Sequence, residues 1–200
     1  MMSKIAFDVA LLPPKKVMDI CIKISRADPA DERPLNLRGP MPHVSLFMGV
    51  MDKSELKSVV SKINKTVSGF KPIITSLSGT SYEMQKNRRY SFKIEKTKLL
   101  RRLHLALVKE LKIYGGKKTK VAMFYRSKNE KMSPKSKIIK WVEDYASKHT
   151  GKNFFPHISL LASAVNFKKF SHKFIANRLA ICHLGDHGTC RKILWETKLK

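Results

Sequence analysis

The pentapeptide Pro42-His43-Val44-Ser45-Leu46 returns, with one conservative change, as Pro156-His157-Ile158-Ser159-Leu160. Successive side chains on a strand point to opposite faces, so each copy puts His and Ser on one face and two aliphatic residues on the other. A fold that satisfies both copies needs two strands, each with one face in a core and one imidazole–hydroxyl face turned away from it. A single histidine beside an apolar run reads most simply as a satisfied core residue. Core packing does not call for a proline before the histidine and a hydroxyl two residues after it, twice.

The segments between the copies read as alternating strands and helices. Lys4 to Leu12 reads as a buried strand, interrupted only by Asp8 and stopped by Pro13-Pro14. Lys15 to Ser25 has helical spacing, and the proline-rich stretch 26–41 reads as a loop. The first His-x-Ser strand is expected at about 42–50. Asp52 and Glu55 form a capping-box pair before a helix that Ser68-Gly69 end. Strands at about 71–78 and 89–95 flank a polar connector at 79–88. Leu99, Leu100, Leu103, Leu107 and Leu111 mark an amphipathic helix closed by Gly115-Gly116. Val121 to Tyr125 reads as a strand, Ser133-Pro134 as the start of the next helix, and Gly151 as its stop. The second His-x-Ser strand is expected at about 154–161. Phe167, Phe170 and Phe174 are spaced for a short helix. Ile175 to His183 and Arg191 to Lys198 read as a hairpin about Gly185-Asp186-His187-Gly188. No linker divides the 200 residues, so a single domain is expected. The order hints at a duplicated α+β unit with one pentapeptide in each half.

Charge adds a second constraint. There are 41 Lys+Arg against 15 Asp+Glu, a formal +26. The excess concentrates in residues 84–140, which carry 19 basic and 3 acidic side chains. Such clustering attracts polyanions, nucleic acid above all; on its own it also fits a soluble, lysine-rich surface. Asp8 breaks the first apolar stretch, which argues against a secretory leader, and no run reaches membrane-spanning length. Three cysteines, Cys21, Cys182 and Cys190, fit free thiols in a reducing cytoplasm. Cys182, His183, His187 and Cys190 match no standard zinc spacing, and a plain hairpin is the better reading.

Histidine titrates near neutrality, so a neutral imidazole can take a proton while an imidazolium gives one. Serine hydroxyls on the same face can donate to phosphate oxygens as charge builds. A serine nucleophile fits less well, because each Ser shares a short strand with its His and no orienting Asp is evident.

The doubled Pro-His-Φ-Ser-Leu (Φ apolar) resembles the signature of the 2H phosphoesterase superfamily, which includes RNA 2′,3′-cyclic phosphodiesterases, also called 2′-5′ RNA ligases. The resemblance implies an α+β fold: two pseudo-symmetric lobes with antiparallel sheets flanking a central cleft, helices on the outer faces. It makes His43 and His157 the catalytic pair and Ser45 and Ser159 the phosphate-binding hydroxyls; the sequence does not say which histidine is acid and which is base, with a lean to His43 as acid and His157 as base. It implies no cofactor and no metal, and as substrate an RNA, oligonucleotide or cyclic nucleotide. The 2′,3′-cyclic phosphate is the leading substrate and 2′-5′ linkages the alternative. A non-enzymatic basic RNA-binding module is the rival of another class. The spacing between the motifs leaves room for a basic insertion at about 114–135. A monomer away from membranes, with no obligate protein partner, is expected. Tyr82, Arg88, Arg89 and Tyr90 interleave aromatic and basic groups that could stack a base and hold phosphate. Tyr125 and Arg126, with Lys117, Lys118, Lys120 and Lys128, could form a basic lid or RNA clamp; for any one of them a solvated loop is the slightly better reading.

Overall fold

A computed structural model describes residues 3–27, 34–83, 89–160 and 171–200, with the backbone alone at 80–83 and 89. Among these residues, eight strands form two four-stranded antiparallel sheets, accompanied by four α-helices. The first sheet has the order β2-β1-β7-β8, from β1 (Lys4–Leu12), β2 (Val44–Asp52), β7 (Arg178–Leu184) and β8 (Cys190–Lys198). The second has the order β5-β4-β3-β6, from β3 (Ile73–Glu83), β4 (Arg89–Ile94), β5 (His157–Ser159) and β6 (His172–Ala176). The termini thus build one lobe and the middle of the chain builds the other. Each pentapeptide still serves its own lobe, but the lobes are not the two halves of the sequence.

Both motif strands are edge strands. β2 ends the first sheet, β5 ends the second, and the two edges approach with Cα atoms within 8 Å. The helices α1 (Lys15–Arg26), α2 (Leu56–Val67), α3 (Lys98–Leu111) and α4 (Lys137–Lys148) bury amphipathic faces around these sheets. α3 and α4 both pack on β2, and α3 packs on α2. The Glu55 carboxylate accepts from the Asp52 backbone N–H at 2.8 Å, completing the expected capping box ahead of α2. A large core runs from Phe7, Val9 and Leu11 through Phe47, Leu103 and Leu107 to Ile158. A smaller one joins Met48, Phe124, Ile138, Val142, Tyr145 and Leu184.

Several local expectations change. β3 extends to Glu83, into the stretch read as a polar connector, because β4 pairs with it as far as Glu83↔Arg89. Val121–Met123 is a 3-10 turn, not a strand: Tyr125 N–H bonds to the Leu184 carbonyl, but no ladder follows. Helix α4 starts at Lys137. Ser133 Oγ is occupied by Lys135 N–H in a turn of its own. β5 is only three residues long. Phe174 lies in β6 with Ile175, whereas Phe167 and Phe170 fall outside the described residues. Cys182 and Cys190 are joined in a disulfide across the β7–β8 hairpin, leaving Cys21 as the buried free thiol. The expectation of three free thiols is therefore wrong, and these two sulfurs are not available as zinc ligands. No group of three or more metal-binding side chains occurs among the described residues. No helix there is long and apolar enough to cross a membrane.

Candidate active site

The two motifs have the same burial pattern: Pro42 and Pro156 buried, His43 and His157 half-buried, Val44 and Ile158 buried, Ser45 and Ser159 half-buried, Leu46 and Leu160 buried. Their imidazoles are held the same way. His43 Nδ1 lies 2.8 Å from the Met41 carbonyl, and His157 Nδ1 lies 2.9 Å from the Phe155 carbonyl. A carbonyl only accepts, so Nδ1 carries a proton in both rings and Nε2 is the working nitrogen.

The lobes differ in what faces that nitrogen. Asp8, the one charge in the buried stretch of β1, is fully buried. Its Oδ2 accepts from Ser45 Oγ at 2.6 Å and lies 3.4 Å from His43 Nε2. A β-bulge creates this arrangement. Val9 pairs with Phe47 but Ala10 pairs with Ser45, so Leu46 is an extra residue on β2. The bulge puts Ser45 on the face that carries Asp8, diagonally across the ladder. Asp8 Oδ1 has no hydrogen-bond partner. Tyr145, from α4, closes the same corner with its hydroxyl 3.4 Å from the Ser45 carbonyl, and burial raises its pKa, with Asp8 adding to the effect. Burial alone would lower the pKa of His43. The Asp8 carboxylate, with the Met41 and Gly188 backbones, outweighs it and raises the value above 6.5.

Ser45 therefore does not present a free O–H to a ligand as expected; its proton points at Asp8. Ser159 has no such carboxylate among its described contacts. Its cross-strand partner on β4 is Ser91, and that of His157 is Lys93, which is exposed. Phe155 is 52% exposed and stacks on His157 with ring centroids 5.5 Å apart. Neither Lys93 nor Phe155 stood out in the sequence, because the register of β4 against β5 is what brings Lys93 opposite the histidine.

The remaining candidates divide. Tyr90 is half-buried and packs against the core. Tyr125 is half-buried, makes an edge contact with His183 at 5.7 Å and lies under the Arg191 guanidinium at 5.9 Å. Arg126 is exposed on the segment beside β7. Arg88 lies outside the described residues, and Tyr82 and Arg89 fall in β3 and β4 at positions described by backbone alone.

His104 on α3 is fully buried. Its Nδ1 lies 2.8 Å from the Leu46 carbonyl, its Nε2 accepts from Gly151 N–H at 3.3 Å, and its ring stacks on Phe154 at 3.7 Å. One side chain thus ties the first motif to the segment that leads into the second. The arrangement needs a neutral ring with its proton on Nδ1. Burial pushes its pKa down to about 4, against the pull of the Leu46 carbonyl.

No family model matches the sequence, and no curated protein matches it. Solved structures do. TT0787 of Thermus thermophilus superposes with a TM-score of 0.62 at 15% identity, covering 98% of each chain. E. coli LigT complexed with NADP+ gives 0.61 at 14% identity over 99% of each chain. A structure described as a phosphoesterase gives 0.54 at 15% identity over 97% of each. The chain has the LigT fold over nearly its whole length.

Proposed function

We propose that this chain is a two-histidine phosphodiesterase acting on RNA or oligonucleotide ends, with a 2′,3′-cyclic phosphate as its leading substrate. The observation that carries the reading is the paired constellation: two His–Ser faces with the same burial and the same Nδ1 anchoring, standing on the adjoining edge strands of two lobes. E. coli LigT has been crystallised with NADP+, 3′-AMP, ATP and phosphate, all phosphate-bearing.

The chemistry needs no further group. One imidazole takes a proton from water as the water oxygen bonds to phosphorus. The P–O3′ bond breaks, and the other imidazolium protonates the departing 3′ oxygen, leaving a 2′-phosphate. Lys93 and Ser159 offer positive charge and a hydroxyl beside His157 for the non-bridging oxygens. The excess of basic residues in the sequence 84–140 favours a polyanionic substrate over a small neutral ester.

The test is incubation with 2′,3′-cyclic-ended RNA and with 2′-5′-linked oligonucleotides in EDTA, with product regiochemistry read out. A 2′-phosphate product from the cyclic end is expected. Turnover of 2′-5′ linkages alone would redirect the assignment to that linkage. Salt-sensitive RNA binding without turnover of either substrate would leave a binding module.

A further inference from the structure

The two half-sites match in sequence and in Nδ1 anchoring, but only one has a carboxylate among its described contacts. We propose that Asp8 is a positioning residue that keeps His43 doubly protonated, and so makes His43 the proton donor and His157 the proton acceptor. The proposal rests on the two-histidine reading and deepens it.

The geometry makes the case through lone pairs. Nδ1 of His43 faces the Met41 carbonyl, which requires an N–H there. Nε2 faces Asp8 Oδ2 at 3.4 Å. A neutral ring with its proton on Nδ1 would aim the Nε2 lone pair at an oxygen that also offers only lone pairs. The imidazolium satisfies both. At 3.4 Å the carboxylate stabilises the charge without capturing the proton in a short bond, and the His43 side chain retains 11% exposure through which a substrate oxygen can reach it. His157 has the same Nδ1 anchor and no carboxylate among its described contacts, so its Nε2 is left with a lone pair directed outward. Among the described residues, β1 brings Asp8 to His43, α4 brings Tyr145 to the same corner, and the 3-10 turn Asp186–Gly188 reaches His43 through the Gly188 backbone. Asp186 is engaged by Ser136 Oγ at 2.6 Å and by His187 N–H at 2.8 Å. Asp8 is therefore the carboxylate that sets the state of His43, and the raised His43 pKa agrees.

In the reaction, His43 gives its Nε2 proton to the leaving 3′ oxygen as the P–O3′ electron pair departs onto that oxygen. His157 Nε2 takes the proton of the attacking water. Product release finds His43 neutral and His157 charged, and exchange with solvent restores both.

The experiment is an NMR titration of the imidazole Cε1–H signals in the full chain, wild type and Asp8→Asn, with kcat/KM profiles recorded in parallel. The wild type should show His43 titrating above the ordinary imidazole value of about 6.5. In Asp8→Asn the His43 midpoint should fall by about one to three pH units, the range for removing an adjacent opposite charge. The alkaline limb of kcat/KM should fall with it, a response that a purely structural role would not produce. An unmoved His43 midpoint in folded Asp8→Asn overturns the proposal. If that variant does not fold, the wild-type titration decides: His43 titrating at or below the ordinary value of about 6.5 overturns it. A shifted midpoint in a protein that turns over no phosphodiester would sustain the role of Asp8 toward His43 and reject the phosphodiesterase reading.

Discussion

Acid should loosen this protein through His104. The buried ring bridges the Leu46 carbonyl and the Gly151 N–H, and that bridge exists only while Nε2 is unprotonated. The folded pKa of about 4 lies below the ordinary 6.5, so the unfolded chain binds the proton first. The sign follows: the contribution is fully present above pH 6.5 and declines as pH falls from 6.5 toward 4. Between about pH 7 and about pH 4.5 the linkage amounts to about 2 kcal/mol. For a chain of this length that corresponds to a fall of about 4–8 °C in Tm. His149 and His183 also have lowered pKa values and push in the same direction, while His43 pushes in the opposite one. The comparison must therefore isolate His104. Urea unfolding near neutrality and at about pH 4.5, on wild type and His104→Gln, does so. The variant should start less stable, because the glutamine cannot stack on Phe154 as the imidazole does, but it should lose about 2 kcal/mol less on acidification. Equal acid sensitivity in the two proteins would refute the argument, as would a His104 imidazole titrating near the ordinary value of about 6.5.

Two other perturbations probe the scaffold. A Cβ on Gly49 would sit 2.5 Å from the Tyr114 carbonyl oxygen and 3.0 Å from the Phe47 ring, so Gly49→Ala should cost about 1–3 kcal/mol by chemical denaturation. Wild-type stability after that substitution would mean the chain after α3 does not press on β2 as described. Opening the Cys182–Cys190 bond, which spans eight positions, should lower stability by about 2–3 kcal/mol. No change in the urea midpoint on adding reductant, with intact mass confirming that the bond was present beforehand, would contradict that contribution.

The residues themselves show what the sequence could disclose. β1, α1, α2 and α3 follow from periodicity and stop signals, since Pro13-Pro14 and the Asp52/Glu55 pair act locally. The two motifs were visible because they repeat, and their strand character follows from alternation alone. The role of Asp8 was not visible. A carboxylate inside an apolar run marks a buried charge, but its partners lie on another strand and depend on the bulge at Leu46. Lys93 became adjacent to His157 only through the β4–β5 register. His104 looked like one polar residue on a leucine-rich helix, and only tertiary packing shows that its face points inward between the motifs. The start of α4 shifted because Ser133 forms its own turn with Lys135, which local propensity does not distinguish from a helix cap.

The central claim is that His43 and His157 act on one phosphorus as a pair. The kcat/KM profile of wild type, His43→Ala, His157→Ala and the double variant on a 2′,3′-cyclic-ended oligonucleotide tests it most directly. The account expects a bell-shaped wild-type curve and losses of about 10²–10⁴-fold in each single variant. The double variant should be scarcely worse than either single one, as for residues that work as a unit. A flat profile, or single variants that both retain turnover, would contradict it.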